Sequence, residues 1–262
     1  GGAASFMLAL LICVAVLGPI FAPFDPIAVS FQRLQGPSTT YLMGTDHYGR
    51  DVFSRVLHGA WISLYIGLGS AVICALVATL IGLMTGYMGG LLDSLAQRGV
   101  DAVMALPLLL LMLVLMMIIG ASMTSLPLAL GIIYGVRNSR VVRSAVLVAK
   151  ECPYVDAARA IGRGTWGIMA VHIFRNIVDP IIVIATIVWG QAILVEATVS
   201  FLGFGVPPPL PSWGRMVSEG RPFLESAPWI SVFSGFAITM AVYSLNMLGD
   251  ALRDVLDPRL RH

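Results

Sequence analysis

The residue types that carry out catalysis are sparse in this chain, and none is spaced for a known reaction. The chain has no G-x-x-x-x-G-K-[ST] loop, and its one lysine, Lys150, is followed by Glu151, so the sequence predicts no P-loop for ATP. Its four histidines show neither H-E-x-x-H nor any other close ligand spacing. Ser200 lacks the preceding glycine of a nucleophile elbow. We therefore expect no catalytic residue, no metal site and no cofactor in the chain itself.

The segment 149–176 is charged and contains a short helix with recognisable ends. A proline and an acidic residue suit the amino-terminal turn of a helix, and Gly162 can adopt the left-handed conformation that ends one. Tyr154, Ala158 and Ile161 recur at the helical spacing i, i+4, i+7, which predicts a narrow apolar ridge. Such a ridge can enter a groove on another protein or lie on a membrane surface, and the helix alone leaves both readings open.

A mixed-charge cluster lies in the motif G-T-D-H-Y-G-R-D-V-F-S-R at 44–55. The signs of Asp46, Arg50, Asp51 and Arg55 predict mutual ion pairs, and the glycines permit tight turns between them. We interpret this cluster as bracing of a loop. Direct contact with a substrate or with a binding protein is the alternative.

Glu196 is an acid inside the long apolar segment 177–204. Ionisable residues in membrane-spanning segments are costly and often mark a transport pathway, so Glu196 is a candidate residue of a translocation cavity. A hydrogen bond or an ion pair that holds neighbouring helices together is the alternative.

The composition predicts that these residues are carried by membrane-spanning helices. Hydrophobic residues make up 58% of the 262 positions and charged residues 11%, against roughly 25% charged in average soluble chains. The mean hydropathy is +0.88, and the net charge of +2 is far from the excess of a nucleic-acid-binding protein. We predict an all-α polytopic membrane protein whose six transmembrane helices lie at 5–24, 61–84, 103–120, 126–148, 177–204 and 229–248.

The distribution of cations predicts the orientation of the chain. With the amino terminus in the cytoplasm, eleven of the 16 Lys and Arg residues fall on the cytoplasmic side, as the positive-inside rule requires. Both termini and the loop 149–176 are then cytoplasmic, whereas the loop 44–55 is an outer-mouth loop. The arginines at 137, 140 and 143 are expected to face the headgroups or the cytosol. We divide the chain into 1–60, with the first span and the outer loop, and a five-helix core at 61–262.

Several motifs together resemble one transporter family. Asp156-Ala157-Ala158, then Gly162 and the segment from His172, resemble the E-A-A-x3-G-x9-I-x-L-P loop of ABC importer permeases, with Asp in place of the Glu and Arg175 in place of the Pro. The motif at 44–55 is similar to that of the second, C-type permease of the dipeptide/oligopeptide/nickel branch. Further matches to that branch lie at 86–93, 200–205, 211–214, 246–250 and 256–261.

This resemblance implies a type I ABC importer permease fold and a role as half of a translocation pathway for dipeptides or oligopeptides in a bacterial inner membrane. It also implies a heterodimer with a homologous permease, an extracytoplasmic solute-binding protein, membrane lipid as the surroundings, and two ABC ATPase subunits that hold ATP and Mg²⁺. No nucleic acid is implied. The residues implied to couple to the ATPases are Tyr154, Val155, Asp156, Ala157, Ala158, Arg159, Ala160, Ile161 and Gly162.

Other functions stay open from the sequence alone. The same importer architecture could carry nickel or a metallophore, glutathione or other small amides. A secondary transporter would need an ion-coupled pair of acids in broken helices, and of these only Glu196 is present. A membrane enzyme would need a nucleophile with a base or a metal cluster, and an exporter permease would lack the outer motifs.

Overall fold

The computed structural model describes residues 2–256, and the chain over this range is helical apart from its connecting loops. The motif at 256–261 and the predicted cytoplasmic cations Arg259 and Arg261 lie outside the described residues, except for Leu256. The helices are α1 (Gly2–Phe21), α2 (Val52–Met88), α3 (Gly90–Ala105), α4 (Leu108–Ile119), α5 (Ser125–Lys150), α6 (Pro153–Ala160), α7 (Thr165–Gly167), a π-helical turn (Ile168–Ile173), α8 (Phe174–Asn176), α9 (Val178–Phe201), α10 (Trp213–Gly220), a 3₁₀ turn (Arg221–Phe223) and α11 (Trp229–Leu256).

Three helices in the described range are long and apolar enough to cross a membrane, namely α2, α9 and α11. They contain most of the predicted spans 61–84, 177–204 and 229–248. α2 begins at Val52, well before the apolar stretch, because the carboxylate of Asp51 accepts a hydrogen bond from the backbone N–H of Ser54 at 2.8 Å and caps the helix. A search for apolar residues alone could not place this start.

The predicted span 103–120 is divided in the structure. α3 ends at Ala105 and α4 begins at Leu108, and their axes are bent by 93°. Pro107 has no backbone N–H to donate, and it restricts the preceding Leu106 to an extended conformation, which is observed at φ −89° and ψ 136°. Together α3 and α4 qualify by length and composition as one further, broken span. The other two predicted spans, 5–24 and 126–148, correspond to α1 and α5.

α2 and α5 pack closely along their length because small residues of each helix face branched residues of the other. Gly131 of α5 lies against Ile73 of α2, and further along the pair the glycines belong to α2, where Gly82 lies against Val142 of α5. Gly86 repeats this contact, whereas Gly90 meets no atom and instead takes a positive φ of 60° at the turn between α2 and α3. The four-residue repeat of glycines therefore serves two different purposes.

Substituting Gly82 with alanine is expected to destabilise the helix pair. An added Cβ would lie 2.7 Å from Cβ of Val142, so the helices would have to separate, at a cost of about 1–3 kcal/mol in the free energy of unfolding. Gly235→Ala is the matched control, since an added Cβ there meets no atom within 4 Å. Thermal unfolding in detergent checks both variants, and equal unfolding midpoints would contradict the packing argument.

Candidate functional site

The loop 44–55, which the sequence predicts to lie at the outer mouth, contains a buried ionic cluster. Arg50 donates through Nε to Asp46 Oδ2 at 2.6 Å and through Nη2 to Glu219 Oε2 at 2.9 Å. Arg55, in the first turn of α2, donates to the same Glu219 oxygen at 3.0 Å, and its side chain is 1% exposed. The cluster therefore joins the outer loop, α2 and α10 around one carboxylate. We refer to Asp46, Arg50, Arg55 and Glu219 as the outer cluster.

Asp51 and Glu219 show where the sequence prediction needs correction. The predicted set groups Asp51 with the other three charged residues, but Asp51 caps α2 and makes no ion pair among the described residues. Glu219 was missed, although it accepts hydrogen bonds from three arginines, the third being Arg215 at 2.8 Å. The i, i+4 spacing of Arg215 and Glu219 on one helix was the only local signal for it.

The burial of the outer cluster bears on its two interpretations, bracing of the loop and contact with a substrate or a binding protein. Asp46, Arg50 and Arg55 are all buried, so their charges face each other and Glu219 instead of an open surface. Buried charges persist only when they are paired and hydrogen-bonded. The geometry supports the interpretation that these charges brace the outer loop, since within the described residues each of them is paired with an opposite charge of the cluster.

His47 lies beside the outer cluster, with its imidazole stacked on Phe223 at a centroid distance of 5.3 Å. Burial lowers the pKa of His47 below its usual value, although the nearby carboxylates of Asp46 and Glu219 act in the opposite direction. The guanidinium groups of Arg50 and Arg55 add to the lowering. The neutral imidazole is therefore the form that the folded outer loop prefers.

We expect the contribution of His47 to stability to depend on pH. Because its pKa is lower in the folded chain, this contribution is complete above the unfolded-state value of about 6.5 and is lost as the pH falls through the lowered folded value. Unfolding midpoints of the wild type and His47→Gln are compared between about pH 8 and pH 5. The advantage of the wild type should shrink on acidification, and a constant difference would contradict this assignment.

Glu196 lies in the interior of the chain, in α9, and its side chain is 0% exposed. Its Oε1 accepts a hydrogen bond from Ser200 Oγ at 2.7 Å, and Ser200 in turn accepts one from Ser212 Oγ at 3.3 Å. Ser212 is the N-cap of α10, so the acid is linked to the helix that also carries Glu219. The bond to Ser200 lies within α9 and the link continues to α10 through Ser212, whereas Glu196 Oε2 has no hydrogen-bond partner among the described residues. These contacts agree with the alternative of a hydrogen bond that holds neighbouring helices together, and a role of Glu196 in a translocation cavity stays a prediction.

The short helix predicted in the loop 149–176 is present as α6. Pro153 occupies its first turn, and Gly162 has the predicted left-handed conformation with φ 79°. The helix ends when the N–H of Gly162 bonds to the carbonyl of Arg159 at 2.9 Å and the N–H of Arg163 bonds to that of Ala158 at 3.1 Å. The local signals for both ends of the helix were therefore sufficient.

The apolar ridge predicted on α6 is wrong in its orientation. Ala158 is 3% exposed and packs with Val155 into the chain's own hydrophobic core, against residues of α5 and of the π-helical turn. Ile161, by contrast, is 79% exposed, and Trp166 in the following turn is 65% exposed. The segment after α6 folds beneath the helix and covers one face of it, which the helical periodicity could not indicate.

The exposed side of α6 is the part available to another protein. Among the residues predicted to couple to ATPases, Val155 and Ala158 are buried and Tyr154 is partly buried, whereas the exposed ones are Asp156, Ala157, Arg159, Ala160, Ile161 and Gly162. Asp156 and Arg159 pair with each other at 3.0 Å. We refer to Ala157, Ala160, Ile161 and Trp166 as the exposed apolar patch.

The three arginines of α5, which the sequence predicts to face the headgroups or the cytosol, tie α3 to α5. Arg143 donates to both carboxylate oxygens of Asp93, at 2.7 and 2.5 Å. Arg140 pairs with Asp101. Arg137 donates to the carbonyl of Leu106 at 3.1 Å, where Pro107 interrupts the helical hydrogen bonds. Acids on one face of α3 therefore meet cations on one face of α5.

No group of three or more His, Cys, Asp or Glu side chains within 2–256 is arranged to hold a metal ion. Most of the buried polar side chains described above form hydrogen bonds or ion pairs, although His47 Nδ1, Asp51 Oδ1 and Glu196 Oε2 have no hydrogen-bond partner among the described residues. The paired side chains hold the helices and loops of this scaffold together.

Comparison with known proteins relates this scaffold to transport. Residues 78–262 match the family described as the inner membrane component of binding-protein-dependent transport systems. A putative peptide transport system permease of Brucella suis biovar 1 is 43% identical over 256 residues, covering 97% of this chain and 86% of the relative. A di/tripeptide transport system permease of Pseudomonas aeruginosa is 38% identical, covering 100% and 88%. A glutathione transport system permease of Pectobacterium atrosepticum is 37% identical, covering 99% and 87%.

Proposed function

This chain belongs to the family of inner membrane components of binding-protein-dependent transport systems, and we propose that it is the permease subunit of an ATP-driven importer of dipeptides or oligopeptides. The observation that carries the proposal is the similarity over almost the whole chain to relatives named as peptide and di/tripeptide permeases. Three described helices that are long and apolar enough to cross a membrane, with α3 and α4 as a further broken span, also support a membrane permease.

Six spans are proposed, formed by α1, α2, the broken pair α3–α4, α5, α9 and α11. Three of these helices qualify individually, the broken pair qualifies together, and α1 has a shorter apolar stretch at Ala9–Phe21. We propose that both termini and α6 are cytoplasmic, because eleven of the 16 cations of the chain then lie on that side. A homologous permease is proposed to complete the pathway, and a binding protein to deliver solute to the outer face.

Two ATPase subunits are proposed to bind and hydrolyse ATP with Mg²⁺, and one of them to engage α6 of this chain. The exposed apolar patch supports this assignment, because a large aromatic and a large aliphatic side chain lie uncovered beside a helix that is firmly packed on its other face. Such uncovered apolar side chains on a rigid support are typical of protein interfaces. The core behind α6 would transmit the movement of the partner to the spans.

Glutathione is the second candidate substrate, because one relative of similar coverage is named as a glutathione permease. Glutathione is itself a tripeptide with an unusual linkage, so a pathway for short peptides also suits its size and charges. Nickel or a metallophore is the further candidate that the resemblance of the motif at 44–55 implies, and no relative described above carries that name.

Uptake measurements test the proposal. Cells that lack the gene are compared with complemented cells for uptake of a labelled dipeptide, a labelled longer peptide, glutathione and nickel, each with and without depletion of ATP. We expect gene-dependent, ATP-dependent uptake of the dipeptide. Dependence of glutathione or nickel uptake alone would replace the peptide assignment, and uptake that persists after ATP depletion would contradict the importer.

A further inference from the structure

Tyr87 lies at the end of α2, beside α6. It is partly buried and packs against the same hydrophobic core that receives Val155 and Ala158 of α6. Gly89 and Gly90, which follow, have positive φ values of 64° and 60° and separate α2 from α3. Tyr87 is therefore the last large side chain of α2 that the core holds before the chain turns.

Two cations from different helices face the ring of Tyr87. Lys150, the last residue of α5, has Nζ 6.0 Å from the ring centroid. Arg159 of α6 has its guanidinium carbon 5.9 Å from the same centroid. Both lie within the distance at which a cation is attracted to an aromatic face. A single ring thus joins the ends of α2 and α5 to α6.

α2 runs without a break from Tyr87 to the outer cluster. Its 37 residues correspond to about 55 Å at the rise of an α-helix, and Arg55 in its first turn is one of the buried cations around Glu219. A displacement of the cytoplasmic end of α2 therefore reaches the ion pairs that brace the outer loop. No other described helix carries a residue of the outer cluster at one end and a side chain in contact with α6 at the other.

We propose that Tyr87 is a positioning residue for transport, which links α6 to α2 so that movement of α6 moves α2. The inference rests on the proposed function, in which an ATPase subunit engages α6. Leu83 and Gly86 hold the same stretch of α2 against the core and α5, but the ring of Tyr87 alone is placed over cations of both α5 and α6. Its loss would leave α6 able to bind a partner while weakening the transfer of movement.

The test measures two rates in the complete transporter reconstituted in vesicles, namely dipeptide uptake and ATP hydrolysis. With Tyr87→Leu, we expect the ratio of uptake to hydrolysis to fall about fivefold, the factor that a cation–π contact of typical strength represents. Tyr87→Phe keeps the ring and loses only the hydroxyl, which lies within reach of the Arg159 guanidinium, so its ratio should stay closer to the wild-type value than that of Tyr87→Leu. The ATPase subunits should still co-purify with both variants.

Arg159→Gln tests the same contact from the side of α6. Arg159 is exposed, so its replacement does not disturb the core. If Arg159 acts through Tyr87, the two substitutions combined should lower the ratio no further than Tyr87→Leu alone. An unchanged ratio in Tyr87→Leu, an equal fall in Tyr87→Phe, additive effects with Arg159→Gln, or loss of the ATPase subunits would each overturn the proposal. Wild-type vesicles that take up no peptide would instead overturn the proposed function.

Discussion

Replacing Glu219 with alanine is expected to lower the free energy of unfolding by about 3–5 kcal/mol, the usual effect of removing one partner from a buried ion pair. Glu219 accepts hydrogen bonds from Arg50, Arg55 and Arg215 at 2.8–3.0 Å, and Arg55 is too deeply buried to be hydrated instead. The variant leaves several positive charges facing one another with Asp46 as their only acid in the cluster. Thermal unfolding of the full chain in detergent measures the loss.

Two further variants isolate the ionic contribution at Glu219. Glu225→Ala removes an exposed acid from the same outer region and should change stability by no more than about 0.5 kcal/mol. Adding Arg55→Met to Glu219→Ala should recover part of the stability, because the buried charge left without a partner is then also removed. If Glu219→Ala unfolds at the same temperature as Glu225→Ala, the outer cluster does not brace the fold.

Replacing Ile161 with glutamate is expected to reduce ATP-dependent dipeptide uptake roughly 30-fold, the effect of losing an interface residue that contributes about 2 kcal/mol. Ile161 is the most exposed large side chain of the exposed apolar patch, so the change introduces a charge into the proposed contact with an ATPase without altering the core. Co-purification of the ATPase subunits should fall together with uptake. Expression and the unfolding midpoint should stay at the wild-type values.

The choice of Ile161 follows from the orientation of α6. The ridge predicted from the sequence would point to Ala158 as the residue to substitute. Because Ala158 is buried, a larger side chain there would disturb the chain's own core, and a loss of uptake could come from misfolding as well as from lost binding of the ATPase. Glu151→Gln is the matched control, because Glu151 is exposed at the start of the same loop and lies outside the apolar patch. Normal uptake and co-purification by Ile161→Glu would show that the partner binds elsewhere.

The local features of this protein were predictable because their causes are local. The apolar segments predicted a multi-pass membrane protein, and three described helices qualify as spans, with the broken pair α3–α4 as a fourth. The count of six stays a prediction. Pro153 and Gly162 marked the ends of α6, since a proline in a first turn and a left-handed glycine act on their own backbone neighbours. The charges at 44–55 predicted an ordered loop, and three of the four named residues lie in one cluster.

The tertiary structure decided which surfaces and partners these features meet. Glu219 is separated by 169 residues from Arg50 and by 164 from Arg55, so no spacing in the sequence could connect them. The buried face of α6 depends on the segment that folds beneath it, and the pairing of the α5 arginines depends on α3 turning back after Gly90. Periodicity states which residues share a side of a helix. Which side is buried is decided by the free energy of packing against elements distant in the chain.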